Sequence, residues 1–148
     1  MQSYYKSFHV INFSDSFNSL EGNWKIKKYI NKNTYSEGSL LIKKKNKNFE
    51  FIENIKTNLN KKYIAGFQVY KVSENRNNIF FYFSLGIDKN KIYQRFNKRN
   101  FKPSIYFCGK DLYISSLNVL SKNHFTIRTK INGPKKNYNI FSKYFRTI

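Results

Sequence analysis

Acidic side chains are scarce in this sequence. Against 28 lysines and arginines stand 8 aspartates and glutamates, a formal net charge of +20 over 148 residues. Such an excess favours anionic partners: nucleic acid, an anionic membrane surface or an acidic protein. A competing source of the same excess is base composition. Lys, Asn, Ile, Tyr and Phe dominate the chain and all have A/T-rich codons, so a biased genome supplies part of the basicity without selection for binding. On that reading Lys43-Lys44-Lys45, Lys61-Lys62 and Lys135-Lys136 are solvated loops and strand ends.

Other scarcities narrow the chemistry. Cys108 is the single cysteine, so no intramolecular disulfide can form and a reducing compartment fits better than a secreted one. His9 and His124 have no neighbouring Cys or His at metal-ligand spacing, and no metal is expected. There is no glycine-rich phosphate loop, no G-x-S-x-G and no paired-carboxylate motif, and no catalytic residue is assigned. Cys108, in Ile105-Tyr106-Phe107-Cys108-Gly109, reads as a small buried cysteine rather than a nucleophile, since no local base or helix N-terminus accompanies it. No apolar run approaches the length of a membrane span, and no membrane association is expected. The segment from Met1 to Phe8 lacks a signal-peptide core, so the protein is expected to work where it is made.

Prolines number two and glycines six, in a chain that is 19% aromatic and rich in Ile. Side chains of that kind pack well on a pleated surface, which points to strands. Only Ser14-Asp15-Ser16-Phe17-Asn18-Ser19-Leu20-Glu21 carries a helix signal, a capping residue before one short turn ended by Gly22. Beyond it, Asn, Gly, Lys and Asp clusters divide the chain into about ten candidate strands, near 22–30, 39–45, 49–56, 64–73, 79–87, 91–96, 104–108, 112–119, 125–131 and 138–147. Alternation is clearest where Ile79, Phe81, Phe83, Leu85 and Ile87 share one face. Their neighbours Phe80 and Tyr82 are also apolar, which implies cover on the outer wall from the N-terminal segment through Phe8, Val10, Phe13 or Phe17. One domain spanning 1–148 is expected, an all-β, antiparallel up-and-down barrel that removes strand edges and leaves room for one small ligand.

Gly22-Asn23-Trp24, just after the short turn and at the start of the first strand, resembles the lipocalin-type signature. That resemblance implies that Trp24 plugs the closed end while a basic side chain from a late strand covers its ring. Arg128 in Phe125-Thr126-Ile127-Arg128-Thr129 is the candidate, through a cation–π contact worth about 0.5–2 kcal/mol. An ordinary core aromatic is the competing reading of Trp24.

More specifically, Phe17-Asn18-Ser19-Leu20-Glu21-Gly22-Asn23-Trp24-Lys25-Ile26-Lys27-Lys28 resembles the opening of the S-type phycobiliprotein chromophore lyases (CpcS/CpeS), some of which are encoded in red-algal and cryptophyte plastids. Ser36-Glu37-Gly38-Ser39-Leu40-Leu41-Ile42 resembles that family's Glu-containing turn into strand two. Arg95, Pro103, Tyr106 and Leu112-Tyr113-Ile114-Ser115-Ser116 follow the order of its later elements. The chain departs from the pattern at Lys28, where the family carries Arg, at Ile127, where it carries Glu, and in Tyr138-Asn139-Ile140-Phe141-Ser142, which replaces an Arg-rich last strand.

The resemblance implies a lipocalin-like barrel whose substrate is a linear tetrapyrrole, phycocyanobilin or phycoerythrobilin, with no other cofactor required. Its partners would be phycobiliprotein subunits, whose own cysteine forms the thioether, in the plastid (chloroplast) stroma. A bilin presents propionates, pyrrole N–H groups and a conjugated face. Lys28, Arg95 and Arg128 are therefore candidates for the propionates, Glu37 for the N–H groups, and Tyr70, Tyr82 and Tyr106 for the ring walls. Two other readings stay open, a non-catalytic carrier of a hydrophobic ligand and a basic RNA-binding protein. The second is disfavoured because no RNA-binding signature is present and the aromatics alternate as core residues do. A homodimer is left open.

Overall fold

The computed structural model describes residues 16–31, 33–59, 62–100 and 102–147. Ten antiparallel strands form one sheet that curls into a nearly closed barrel: β1 (Gly22–Ile30), β2 (Thr34–Lys45), β3 (Asn48–Leu59), β4 (Lys62–Glu74), β5 (Asn78–Phe83), β6 (Ile92–Asn97), β7 (Ser104–Cys108), β8 (Asp111–Ser121), β9 (His124–Asn132) and β10 (Asn137–Arg146). Each strand pairs with its sequence neighbours except at two places. β1 pairs with β10, which joins the first strand to the last, and β6 and β7 face each other without a backbone ladder. That seam is bridged instead by the Arg95 amide, which donates to Ser104 Oγ at 2.7 Å, and by Gln94 Nε2, which donates to Ser115 Oγ at 3.0 Å.

Period-two alternation turns one face of each strand inward. Trp24 and Ile26, Leu40 and Ile42, Phe49 and Phe51, and Ile79 and Phe81 are all buried at one end of the barrel. The short helical signal becomes a 3-10 turn, Phe17–Leu20, capped by Ser16, whose hydroxyl accepts from the Asn18 amide at 3.1 Å. Phe17 lies against Phe49 and Phe81, both inward-facing, with ring centroids 5.3 and 6.3 Å away. Phe17 therefore plugs the interior and does not cover the outer wall; Phe8, Val10 and Phe13 fall outside the described residues.

Two further expectations are corrected. The expected strand 79–87 ends at Phe83, because Gly86 and Asn90 take positive φ values of 81° and 74° and fold 84–91 into a loop. Leu85 and Ile87 thus leave the inward face and are exposed. Glu37-Gly38 is not a turn but the interior of β2, which begins at Thr34 rather than near 39. Gly38 is required there by contact: a Cβ would lie 2.0 Å from the Asn54 carbonyl oxygen on β3. Gly38→Ala is expected to destabilise the barrel by about 1–3 kcal/mol, read from the denaturant midpoint.

Glu74, at the end of β4, ties the plug to the wall. Its carboxylate accepts from the Phe17 amide at 3.0 Å, from the Ser16 hydroxyl and from Lys98 Nζ at 2.6 Å. Burial pushes the Glu74 carboxyl up, but the hydrogen bonds from Lys98, Ser16 and the Phe17 amide, with the Lys98 charge, outweigh it and the net direction is down. A depressed folded-state value means this stabilisation is complete above the ordinary 4.5 and lost as pH falls through the folded value. Melting curves should therefore drop in acid below about pH 4.5, and Glu74→Gln should flatten that drop.

Candidate functional site

The closed end is built around Trp24. Its Nε1–H donates to the Leu20 carbonyl at 2.9 Å, and its ring meets Phe125 edge-on at 4.7 Å. The cation over that ring is Arg146, with its guanidinium 4.4 Å from the centroid, and not Arg128. Register explains the difference: Arg146 is directly opposite Trp24 on β10, whereas Phe125 and Ile127 face inward on β9 and send Arg128 outward. There Arg128 lies over Phe141, 3.9 Å away, on the outer wall. Arg146 also donates to the carbonyls of Ser19, Glu21 and Lys122 at 2.7 Å each. It therefore clamps the plug, β1 and the β8–β9 turn together.

Above this plug the interior opens into a cavity of about 160 Å³. Its polar centre is an ion pair. Glu53, 6% exposed, accepts from Lys28 Nζ at 3.4 Å and from the Tyr144 hydroxyl. A second polar group is the chain Gln94–Ser115–Thr129, with Ser115 Oγ and Thr129 Oγ1 2.8 Å apart. The rest of the wall is aromatic. Tyr70 stacks on Tyr93 at 5.3 Å and 10°, and Tyr93 meets Tyr106 and Tyr113 edge-on at 5.4 and 6.2 Å. Phe83 touches Tyr70, Tyr93 and Tyr106. One sheet of rings thus runs from β4 across the seam to β8.

Burial pushes the Tyr70, Tyr93 and Tyr144 hydroxyls up, and the Glu53 carboxylate adds to the shift at Tyr144. All three remain neutral phenols at physiological pH, able to donate a hydrogen bond. The cavity can therefore hold a flat, largely apolar group whose polar atoms meet one carboxylate, one ammonium and several hydroxyls. Among the described residues no cluster of His, Cys, Asp and Glu could hold a metal ion.

Of the residues singled out from sequence, Lys28 and Tyr70 line the cavity, and Tyr106 stands at its rim by the seam. The others lie outside it. Glu37 faces out on β2 and accepts from the Tyr35 hydroxyl. Tyr82 lies under Lys71 Nζ at 4.7 Å on the outer wall, and Arg95 is exposed between inward Gln94 and Phe96. The sequence reading missed Glu53, Tyr93, Gln94, Tyr113 and Tyr144. A signal for Glu53 exists: it is the acid on the otherwise apolar face Phe49, Phe51, Ile55 of β3.

The chain belongs to DUF6314, a family of unknown function, whose pattern it matches over residues 20–146. No curated protein matches the sequence. Among solved structures it is similar to the S-type phycobiliprotein lyase CPES from Guillardia theta, with a TM-score of 0.66 and 8% identity over 97% of each chain. A protein of unknown function from the DUF3598 family of Nostoc punctiforme gives a TM-score of 0.57 at 8% identity, over 90% of this chain and 49% of that one. The barrel EF1p2_mFAP2b, bound to DFHBI, gives 0.55 at 8% identity over 90% of this chain and 98% of that one. At such identities the likeness is one of fold.

Proposed function

We propose that this protein is a bilin lyase: it holds a linear tetrapyrrole at the open end of its barrel and assists thioether attachment to a cysteine of a phycobiliprotein subunit, in the plastid stroma and with no other cofactor. The observation that carries the reading is the ring wall Tyr70–Tyr93–Tyr113 facing the Lys28–Glu53 pair. A conjugated chain with N–H donors and carboxylates is complementary to that lining. Support comes also from a fold shared, end to end, with an S-type phycobiliprotein lyase.

Volume sets how such a ligand would sit. A dry cavity of about 150 Å³ holds one benzene, and this one measures about 160 Å³. One terminal ring enters, with Glu53 accepting from its N–H and the tyrosines against its face. The remaining rings lie across the mouth, a propionate within reach of Lys28, and the reactive first ring is presented outward. There the acceptor thiolate adds to the ethylidene side chain: the carbon–sulfur bond forms, the π pair moves into the ring system, and a proton is taken up on that system. No oxidant is needed. The protein contributes position and exclusion of side reactions, which for well-oriented partners is worth several kcal/mol of barrier.

The small volume favours one alternative, a carrier of a single compact aromatic molecule. Purified protein mixed with phycocyanobilin should change the pigment's visible absorption, and adding an apo-phycobiliprotein subunit should leave pigment on the subunit that survives denaturation. Absorption change without covalent transfer removes the lyase reading and leaves a carrier; no change removes the tetrapyrrole and leaves only a carrier of a smaller ligand.

A further inference from the structure

The barrel's mouth is rimmed by residues that neither the core nor the cavity uses. In the β5–β6 loop Leu85 is 44% and Ile87 98% exposed; beside it Ile92 on β6 is 49%, and Ile105 and Phe107 on β7 are 58% and 68%. The two β7 side chains project outward because the alternating Ser104 and Tyr106 turn inward, and Cys108 at the strand end is exposed, not buried as expected. The bond from the Arg95 amide to Ser104 sets β6 against β7, and stepping from it toward the mouth, with Tyr93 as the extra residue on β6, brings Ile92 alongside the Ile105–Phe107 stretch. These side chains therefore form one apolar band across the seam and up to the loop tip. Ile87 is not held out by a loose loop. The Asn90 amide donates to the Phe83 carbonyl at 2.7 Å, the Phe83 amide to that of Lys91 at 3.0 Å and the Lys91 amide to that of Asp88 at 3.0 Å.

Basic residues surround the band. The mouth loops carry Lys89, Lys91, Lys110, Lys135 and Lys136, against Asp88 and Asp111. Both aspartates are already engaged, Asp88 by Lys91 at 3.1 Å and Asp111 by Lys136 at 3.6 Å. Lys89, Lys110 and Lys135 have no acidic partner among the described residues. An exposed, preorganised apolar patch with a cationic rim is what a protein-binding surface presents to an acidic partner.

We propose that this band is the docking surface for an acidic protein, the subunit that receives the ligand, so that its apolar patch covers Ile87, Ile105 and Phe107 while its carboxylates meet the rim lysines. This rests on the proposed lyase reading for the partner's identity and not for the surface. A protein is favoured over an anionic membrane because the band continues down the barrel flank on β7. A bilayer would take the loop tip and leave Ile105 in water. Docking here places the receiving cysteine at the one end through which the ligand leaves.

Calorimetric titration of an apo-phycobiliprotein subunit into this protein, without pigment, tests it. Wild type should bind, less tightly as salt is raised. Ile87→Ser with Phe107→Ser, and separately Lys89→Glu with Lys110→Glu, should weaken binding about tenfold or more. Leu120→Ser, exposed at the closed end, should leave it unchanged. The proposal is overturned if wild type does not bind the subunit, if the Ile87/Phe107 variant binds as wild type does, or if these side chains serve vesicles containing phosphatidylserine or self-association instead. Pigment titrated into the same samples separates the two ideas. Docking without bilin binding removes the lyase reading and leaves the surface; bilin binding by the rim variants without docking supports the surface as a separate device.

Discussion

Arg146→Ala is expected to lower stability by about 3 kcal/mol. Its guanidinium lies over the Trp24 ring at 4.4 Å, and that contact is only part of what it supplies. Arg146 donates to three backbone carbonyls, those of Ser19 and Glu21 in the plug turn and its cap and that of Lys122 in the β8–β9 turn. These sites are partly exposed, so each bond is discounted to about 0.8 kcal/mol, within the ordinary net range, and three of them with about 0.5 kcal/mol for the ring contact give the figure. At roughly 2–4 °C per kcal/mol for a chain of this size, Arg146→Ala should melt roughly 6–12 °C early. Arg146→Lys should recover only a part, since an ammonium cannot reach carbonyls in three directions from one plane. A melt unchanged in Arg146→Ala would show that the plug does not limit stability.

The same pair shows how far the sequence carries. Trp24 as a plug follows from G-x-W after a short turn, and so does the need for a basic cover from a late strand. Choosing Arg128 over Arg146 was a question of register, which local alternation does not supply. Inward Ser142 and Tyr144 put Arg146 on the Trp24 face, but only the β1–β10 pairing sets the two opposite each other. Strand existence was legible almost throughout: 22–30 and 104–108 coincide with β1 and β7. The failures lie where backbone geometry overrides pattern. Ile79 to Ile87 alternates cleanly, yet Gly86 and Asn90 at positive φ turn the chain after Phe83. Conversely, Glu37-Gly38 looks like a turn and is strand interior, where the glycine serves the close approach of Asn54.

For the cavity, parity was again the missing fact. Lys28 and Tyr70 fall on inward positions and Glu37, Tyr82, Arg95 and Arg128 on outward ones, a distinction one residue wide. Tyr93 and Gln94 are adjacent and both line the cavity, which strict alternation forbids; the irregularity of register at Phe81/Tyr82 on the paired strand permits it. No periodicity argument would have placed that pair.

Glu53→Leu is expected to cost about 3 kcal/mol, toward the low end of the range for breaking a buried pair because the Lys28 side chain keeps 20% exposure. The carboxylate serves two donors at once, the Lys28 ammonium and the Tyr144 hydroxyl, and leucine leaves both facing an apolar wall. Adding Lys28→Met should restore the part of the loss that comes from the unpaired ammonium, while the Tyr144 hydroxyl still lacks its carboxylate acceptor. Glu53→Gln separates fold from function. The amide oxygen still accepts from Tyr144, so stability should fall by less than with leucine, but the negative charge that meets a ligand N–H and holds Lys28 in place is gone. Thermal melts of the four proteins with phycocyanobilin absorption taken alongside would read both effects. If the double variant is as stable as wild type and still perturbs the pigment unchanged, the ion pair is a structural feature only and the ligand's polar contacts lie with Gln94, Ser115 and the tyrosines.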